Sequence, residues 1–226
     1  MNENTEKRII AFTSQSLKRQ GIRAVRMDDI ARNMNMSKRT IYQIYTSKEN
    51  LIYICLQVYQ VRIINMFHII KYDFPYILEY FWAVSKAYIE NLYKAKCVFW
   101  FDISRDSKYR YIYSSYNRIW SGELEKIISV CQKEKLIMSD LKAEIFVESF
   151  TVLLYNARLA ECVPSMLYRS AYFMLRGIMT ESGVKRFDHI PFEEETTGIL
   201  TLIDGEGCPK TSQSGAGQPH QNSEIV

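Results

Sequence analysis

Lys38, Arg39, Thr40 and Gln43 stand together within the stretch 26–51, RMDDIARNMNMSKRTIYQIYTSKENL, and carry hydrogen-bonding groups that base edges can use. A guanidinium or ammonium donates to O6 and N7 of guanine, and a carboxamide pairs with N6 and N7 of adenine. Such groups read sequence only when a slim, rigid element carries them into the major groove, and an α-helix fits that groove.

The neighbouring residues build that element. Ile30, Ala31 and Met34 recur at helical spacing behind Asp28 and Asp29, whose carboxylates suit the positive end of a helix. Asn35 tolerates the left-handed backbone of a helix end, so Met34, Asn35 and Met36 form a tight turn. Ser37 is a good N-cap for a short second helix over 38–45. In that helix Ile41 and Ile44 face inward, leaving Lys38, Arg39, Thr40 and Gln43 outward. Helix, turn and exposed basic helix together make the unit that lays its second helix in the major groove. Ser47 caps a third helix and places Lys48 in its first turn, where free amides and an ammonium can meet one phosphate.

This pattern resembles the TetR (tetracycline-repressor-like) family of transcriptional regulators. The likeness rests on Ile10, Leu17 and Gly21, then on Asp29-Ile30-Ala31, Met36-Ser37-Lys38, Thr40-Ile41-Tyr42, Tyr45 and Ser47-Lys48-Glu49-Asn50-Leu51. It covers roughly the first quarter of the chain in detail, and the rest only in length and helical character. The resemblance implies that Lys38, Arg39 and Gln43 face bases, and that Ser37, Thr40, Tyr42 and Lys48 contact the DNA backbone. Two positions depart from the family. Arg26 and Met27 stand where a capping Ser or Thr is common, so Arg26 supplies a charge contact instead and the cap comes from Asp28 or is absent. Asn35 replaces the usual Gly.

Charge is distributed as this reading requires. Residues 1–50 hold 10 Lys and Arg against 5 Asp and Glu, whereas the remaining 176 hold 19 against 20. A basic surplus confined to one short segment is the electrostatic footprint of a nucleic-acid contact, although a solvated basic face would look the same.

The other chemistries are excluded or unsupported. The five cysteines (Cys55, Cys97, Cys131, Cys162, Cys208) and the three histidines are scattered without metal-ligand spacing, so no metal site is expected and the thiols read as reduced, buried side chains. No nucleophile–base constellation or glycine-rich phosphate cradle appears; the chain reads as no enzyme and as needing no cofactor. No run approaches the roughly 18 apolar residues of a membrane span. The N-terminus has no signal-peptide layout, and the expected location is the cytoplasm, with no membrane partner.

Beyond residue 50 the periodicity predicts an all-α body, with helices over 47–71, 76–94, 99–106, 109–134, 139–162 and 165–181. Pro75 and Pro164 mark helix starts, the pair Ser139-Asp140 opens a helix, and Gly183 stops the last one. The expected organisation is a three-helix helix-turn-helix DNA-binding domain (1–50), a helical effector-binding and dimerisation domain (51–183), and a partly disordered tail (184–226). Residues 205–226 hold four of the nine glycines, and residues 197–205 form an apolar, β-prone patch with no assigned role.

Two apolar surfaces stay open on the sequence alone. Phe146, Val147, Phe150, Leu153, Leu154 and Ala157 line one helix, while Leu167, Ala171, Phe173, Met174, Leu175 and Ile178 line the next. Apolar residues on more than one face mean either central core or an oligomer interface; the resemblance implies a two-fold dimer. Thirty residues are aromatic. Any single one is more simply read as core. The resemblance implies a ligand cavity walled by Phe67, Phe81, Trp82, Phe99, Trp100, Tyr116, Trp120 and Tyr155, with Asn117 and Arg158 as polar contacts. The resulting expectation is a homodimeric repressor, released from a palindromic DNA operator by an unidentified small-molecule effector. The alternative is a DNA-binding regulator whose body recruits a protein partner; activation of transcription is not separated from repression.

Overall fold

The computed structural model describes residues 3–192. The patch 197–205 and the glycine-rich stretch after it lie outside the described residues. The element order is α1 (Glu3–Ala24), α2 (Met27–Asn33), α3 (Lys38–Ile44), α4 (Lys48–Asp73), α5 (Ile77–Tyr93), α6 (Cys97–Arg105), a 3-10 turn (Ser107–Tyr109), α7 (Arg110–Lys133), α8 (Ala143–Leu159), α9 (Pro164–Gly177) and α10 (Glu181–Phe187). Among the described residues the only β pairing is a single antiparallel bridge, Ile137 to Met179. The all-α class is as expected.

Local chemistry sets the boundaries. Asn35 takes φ 53°, the left-handed turn its side chain tolerates. Ser37, Ser47 and Thr180 cap α3, α4 and α10, each accepting the backbone N–H three residues on. Pro164 opens α9 in its first turn, while Pro75 stands one residue ahead of the α5 cap, Tyr76.

Two expected boundaries need correction. Ser139 and Asp140 do not open α8, which begins at Ala143 behind Lys142. The Met138 N–H donates to Ile178 O, and Gln132 Nε2 donates to the carbonyls of Met138 and Leu141, which holds this stretch as a loop. Gly183 does not stop a helix but lies inside α10, where a Cβ would sit 2.0 Å from Leu136 O. Only a bare Cα lets α10 approach that backbone, and α10 carries packed chain past residue 183, with Phe187 fully buried.

The core centres on α5, which is buried from Leu78 to Leu92 on every face except at Glu79. It packs on α4, α7, α8, α9 and α10. Among its buried polar side chains, Asn91 donates from Nδ2 to Tyr59 Oη at 2.6 Å and accepts from Tyr116 Oη at Oδ1 at 2.7 Å, and Ser85 Oγ donates to Phe81 O at 2.8 Å. The spacing predicts an α7 stripe of Ile112, Tyr116, Ile119, Trp120, Leu124, Ile127, Ile128 and Cys131, and all of it is buried except Ile119, which is half-buried. At the other end α1 packs on α4 and α6, so the N-terminal helices rest directly on the body.

Candidate nucleic-acid interface and ligand cavity

The second of the short helices stands clear of the body. Ile41 is fully buried, Ile44 partly so and Tyr45 buried, and these anchor α3 against α2. Lys38, Arg39, Tyr42 and Gln43 are exposed on its outer side, with Thr40 half-buried. Ser37 Oγ accepts Thr40 N–H at 3.0 Å and lies 2.7 Å from Thr40 Oγ1, so both hydroxyls are fixed at the start of the helix. Arg26 is exposed at the α2 cap position with extended backbone and makes no side-chain cap bond. Of the two expected options the cap is therefore absent, and Asp28 and Asp29 support α2 only through its first-turn charge.

Two of the cations are already engaged. Lys38 Nζ lies 2.9 Å from Asp28 Oδ1, a bond that raises the lysine pKa and tethers α3 to α2. Lys48 is half-buried, and its Nζ donates to Arg23 O at 3.4 Å, closing the end of α1 onto α4. Burial pulls its pKa down, against the opposing pull of Glu49 and Asp102. Glu49 in turn meets Lys108 at 3.0 Å, and that hydrogen bond holds its carboxyl below the usual range.

In the body a cavity of about 420 Å³ opens between α7 and α8. Asn117, Trp120 and Tyr155 line it, together with Tyr88, Tyr113, Arg118, Glu125, Glu144, Glu148 and Thr151. The other expected wall residues lie elsewhere. Phe67 packs edge-on against Trp120, Phe81 and Phe99 are core, and Tyr116 is bound to Asn91. Trp100 is buried with its Nε1–H on Leu92 O. Trp82 stacks on Phe192 and borders a separate hollow of about 320 Å³ near Lys86 and Pro191. Arg158 is a clamp: it donates to the carbonyls of Leu92 and Ala95 and to Cys97 Sγ, with its guanidinium over the Tyr93 ring. Leu92 lies in the last turn of α5 and Ala95 just beyond it, so the arginine ties the end of α5 to α6 and α8.

The family model for bacterial regulatory proteins of the tetR family matches residues 9–53, which run from α1 into the first turn of α4. Residues 9–53 thus carry the N-terminal domain of these regulators. That domain, the helix-turn-helix just described, is the DNA-binding part of such transcriptional regulators. No curated protein matches the sequence. Solved structures share the regulator's fold. A transcriptional regulator from Saccharomonospora viridis, in complex with choline, matches at TM-score 0.67 and 16% identity over 80% of this chain and 100% of its own. A TetR-family regulator from Rhodococcus sp. gives 0.64 and 15% over 79% and 100%. A TerR/AcrR-family regulator from Aquifex aeolicus VF5 gives 0.58 and 24% over 77% and 99%. At these identities the likeness is one of fold.

The chain joins its N-terminal helices to its body through a residue that the sequence did not single out. Asp102, on α6, is buried and its Oδ2 accepts the N–H groups of Ile22 at 2.9 Å and Arg23 at 3.2 Å. Arg23 Nε lies 3.5 Å from Oδ1, and Lys96 N–H donates to Lys18 O at 2.9 Å. On the same helix Trp100 O accepts the hydroxyl of Tyr155, a cavity residue. Only the glycine at position 21 hinted at this joint, since an acid 80 residues away leaves no local pattern. The cavity acids had a faint signal, because Glu144, Glu148, Thr151 and Tyr155 fall at spacings of four, three and four on one helix face.

Proposed function

We propose that the protein is a homodimeric repressor that leaves a palindromic operator when a small molecule enters the α7–α8 cavity. The observation that carries this reading is the continuity of α6. One of its residues bonds a cavity side chain, Tyr155, and another holds the end of α1 through Asp102. A ligand that shifts α8 against α7 displaces α6, and α6 carries α1 and the attached recognition helix with it. The ligand acts only to the extent that it favours the displaced conformation over the DNA-competent one.

Lys38, Arg39 and Gln43 are assigned to base edges, and Arg26, Ser37, Thr40, Tyr42 and Lys48 to the DNA backbone. One short helix makes few contacts, so two copies reading half-sites about one helical turn apart supply affinity and specificity. Support for two copies comes from the apolar side chains left exposed on α8 (Ile145, Val152, Leu153) and α9 (Met166, Phe173). Support for a small-molecule site comes from the size of the cavity, which falls among ligand-sized hollows, and from the choline held by the regulator of Saccharomonospora viridis.

Selection of duplexes from a random pool at low ionic strength, followed by anisotropy titration on the enriched sequence, tests the DNA half. Release of that duplex by members of a small-molecule library tests the sensor half. No enrichment of any duplex sinks the reading. Enrichment without release by any compound, alongside specific capture of a protein by the body, replaces the effector with a partner.

A further inference from the structure

We infer that the α7–α8 cavity selects an organic cation, a tertiary or quaternary ammonium borne on an apolar or aromatic body. This rests on the cavity being the effector site, and it adds the chemical class of the ligand.

The floor of the cavity is aromatic. Tyr88 and Trp120 are buried there and meet edge-on at 5.2 Å between ring centroids. Tyr113 and Tyr155 are half-buried and form the walls. Trp120 is wholly buried, yet its Nε1–H has no hydrogen-bond partner among the described residues. Burial pushes the Tyr88 and Tyr113 hydroxyls up, so these rings stay neutral.

The mouth of the cavity is acidic. Glu125 of α7 faces Glu144 and Glu148 of α8, and the one cation in the lining is Arg118. None of the three carboxylates is ion-paired among the described residues: Lys126, the nearest lysine in sequence to Glu125, is engaged by Glu123 at 3.4 Å. Lys133 and Lys142 lie along an adjoining groove and close no ion pair with them.

Three ligand classes meet this lining differently. An anion faces three carboxylates against one guanidinium and is repelled. A neutral apolar molecule takes water from those carboxylates and returns no partner, which costs free energy. A cation neutralises the mouth while its charge comes against the half-buried rings of Tyr113 and Tyr155, an attraction that grows as the site is desolvated. Each carboxylate contact at an exposed rim is weak, so selectivity arises from the sum of rim and floor.

The test is calorimetric titration of the full-length protein with benzyltrimethylammonium, with its uncharged isostere neopentylbenzene, and with 3-phenylpropionate. The cation is expected to bind and perturb tryptophan emission, the isostere to bind roughly tenfold more weakly, and the anion not to bind. Glu144→Gln with Glu148→Gln, both at exposed positions and so compatible with folding, is expected to weaken the cation roughly tenfold and leave the isostere unchanged. Equal affinity for cation and isostere, indifference to the double substitution, or no binding of the cation at millimolar concentration overturns the proposal. Cation binding that fails to release operator DNA leaves this inference standing and sinks the effector reading. Release by an anionic or neutral compound that fills the cavity does the reverse.

Discussion

A Cβ placed on Gly21 would stand 2.7 Å from Asp102 Oδ2, so these two residues, one in the DNA-binding domain and one in the body, leave no room for a side chain between them. Gly21 adopts φ 80°, ψ 173°, a kink that bends the end of α1 and turns the amides of Ile22 and Arg23 toward one carboxylate. Both the backbone angle and the close approach therefore demand glycine. A buried carboxylate accepting two amides makes charge-assisted bonds, stronger than ordinary ones, across the joint that the proposed signal must cross.

Gly21→Ala and Asp102→Ala should injure this joint by different routes. The first adds left-handed strain and a clash, which together cost about 1–2 kcal/mol or more. The second strands a buried amide for about 1–3 kcal/mol. Urea unfolding followed by tryptophan emission measures both. If the effector reading holds, Asp102→Ala should also blunt ligand-driven release of DNA while leaving ligand affinity near that of the parent. A stability change below about 0.5 kcal/mol for Asp102→Ala, the range of ordinary surface substitutions, would mean the carboxylate is not the clamp described here.

Asp28→Asn and Arg39→Ala should act on DNA binding in opposite and distinguishable ways. Asp28 holds Lys38 at 2.9 Å and adds a negative charge to the proposed DNA face. Its neutralisation frees a cation, so affinity should rise for every sequence and the slope of log affinity against log salt should steepen by about one. Arg39 is exposed and assigned to a base edge, as is Gln43. Replacing either with alanine should relax preference at one operator position, with a loss of about 1–3 kcal/mol on the best site and little on others. Anisotropy titrations at several salt concentrations on matched and mismatched duplexes decide it. Unchanged selectivity for Arg39→Ala would remove that residue from the reading head.

The contrast between these two residues shows what the sequence could tell. Arg39 was legible because helical spacing alone sorts α3 into an inner Ile41 side and an outer basic side. The caps Ser37 and Ser47, the left-handed Asn35 and the buried stripe of α7 were legible for the same reason: each obeys a rule acting within a few residues. The engagement of Lys38 by Asp28 spans ten residues and two helices, and that of Ile22 by Asp102 spans eighty. Such pairings depend on how helices are placed, which periodicity does not encode. The cavity fared likewise. Aromatic content correctly signalled a dense core, but the sequence could not sort Trp120, which borders the cavity, from Trp100, which is sealed against Leu92. The resemblance made Arg158 a polar ligand contact, and in the fold its acceptors are the carbonyls of Leu92 and Ala95, at and just past the end of α5.

The cysteines should divide by burial when the native protein is alkylated at mildly alkaline pH. Burial pushes the Cys55 thiol up to about 11 and the Cys131 thiol up to about 12, so little reactive thiolate forms at either. Cys97 and Cys162 are half-buried, and Cys97 Sγ also accepts from Arg158. Site-resolved mass spectrometry after brief maleimide treatment should find Cys97 and Cys162 modified ahead of Cys55 and Cys131. Cys55 and Cys131 should react only under unfolding conditions. Native labelling of Cys131 at the rate of Cys97 would contradict the packing of α7.

The exposed apolar side chains of α8 and α9 give the assembly state a direct test. Phe173 is 67% exposed and Met166 58%, and on α8 Ile145 and Leu153 are 61% and 46% exposed. A monomer rarely leaves a contiguous patch of this kind in water, and patches that persist mark contact surfaces. A stable interface must remove about 1,000 Å² or more, which two helices from each copy can supply when their apolar sides meet about a two-fold axis. Phe173→Lys with Leu153→Glu changes only side chains that the isolated chain leaves in solvent. Fold and helical content should therefore survive while sedimentation shifts from dimer to monomer. With one recognition helix per particle, binding to a full operator should fall to the level of an isolated half-site, because the second half-site no longer adds its contacts. A variant that still sediments as a dimer and holds the full operator as tightly as the parent would place the contact surface elsewhere, and α8 and α9 would then need another occupant for their apolar side.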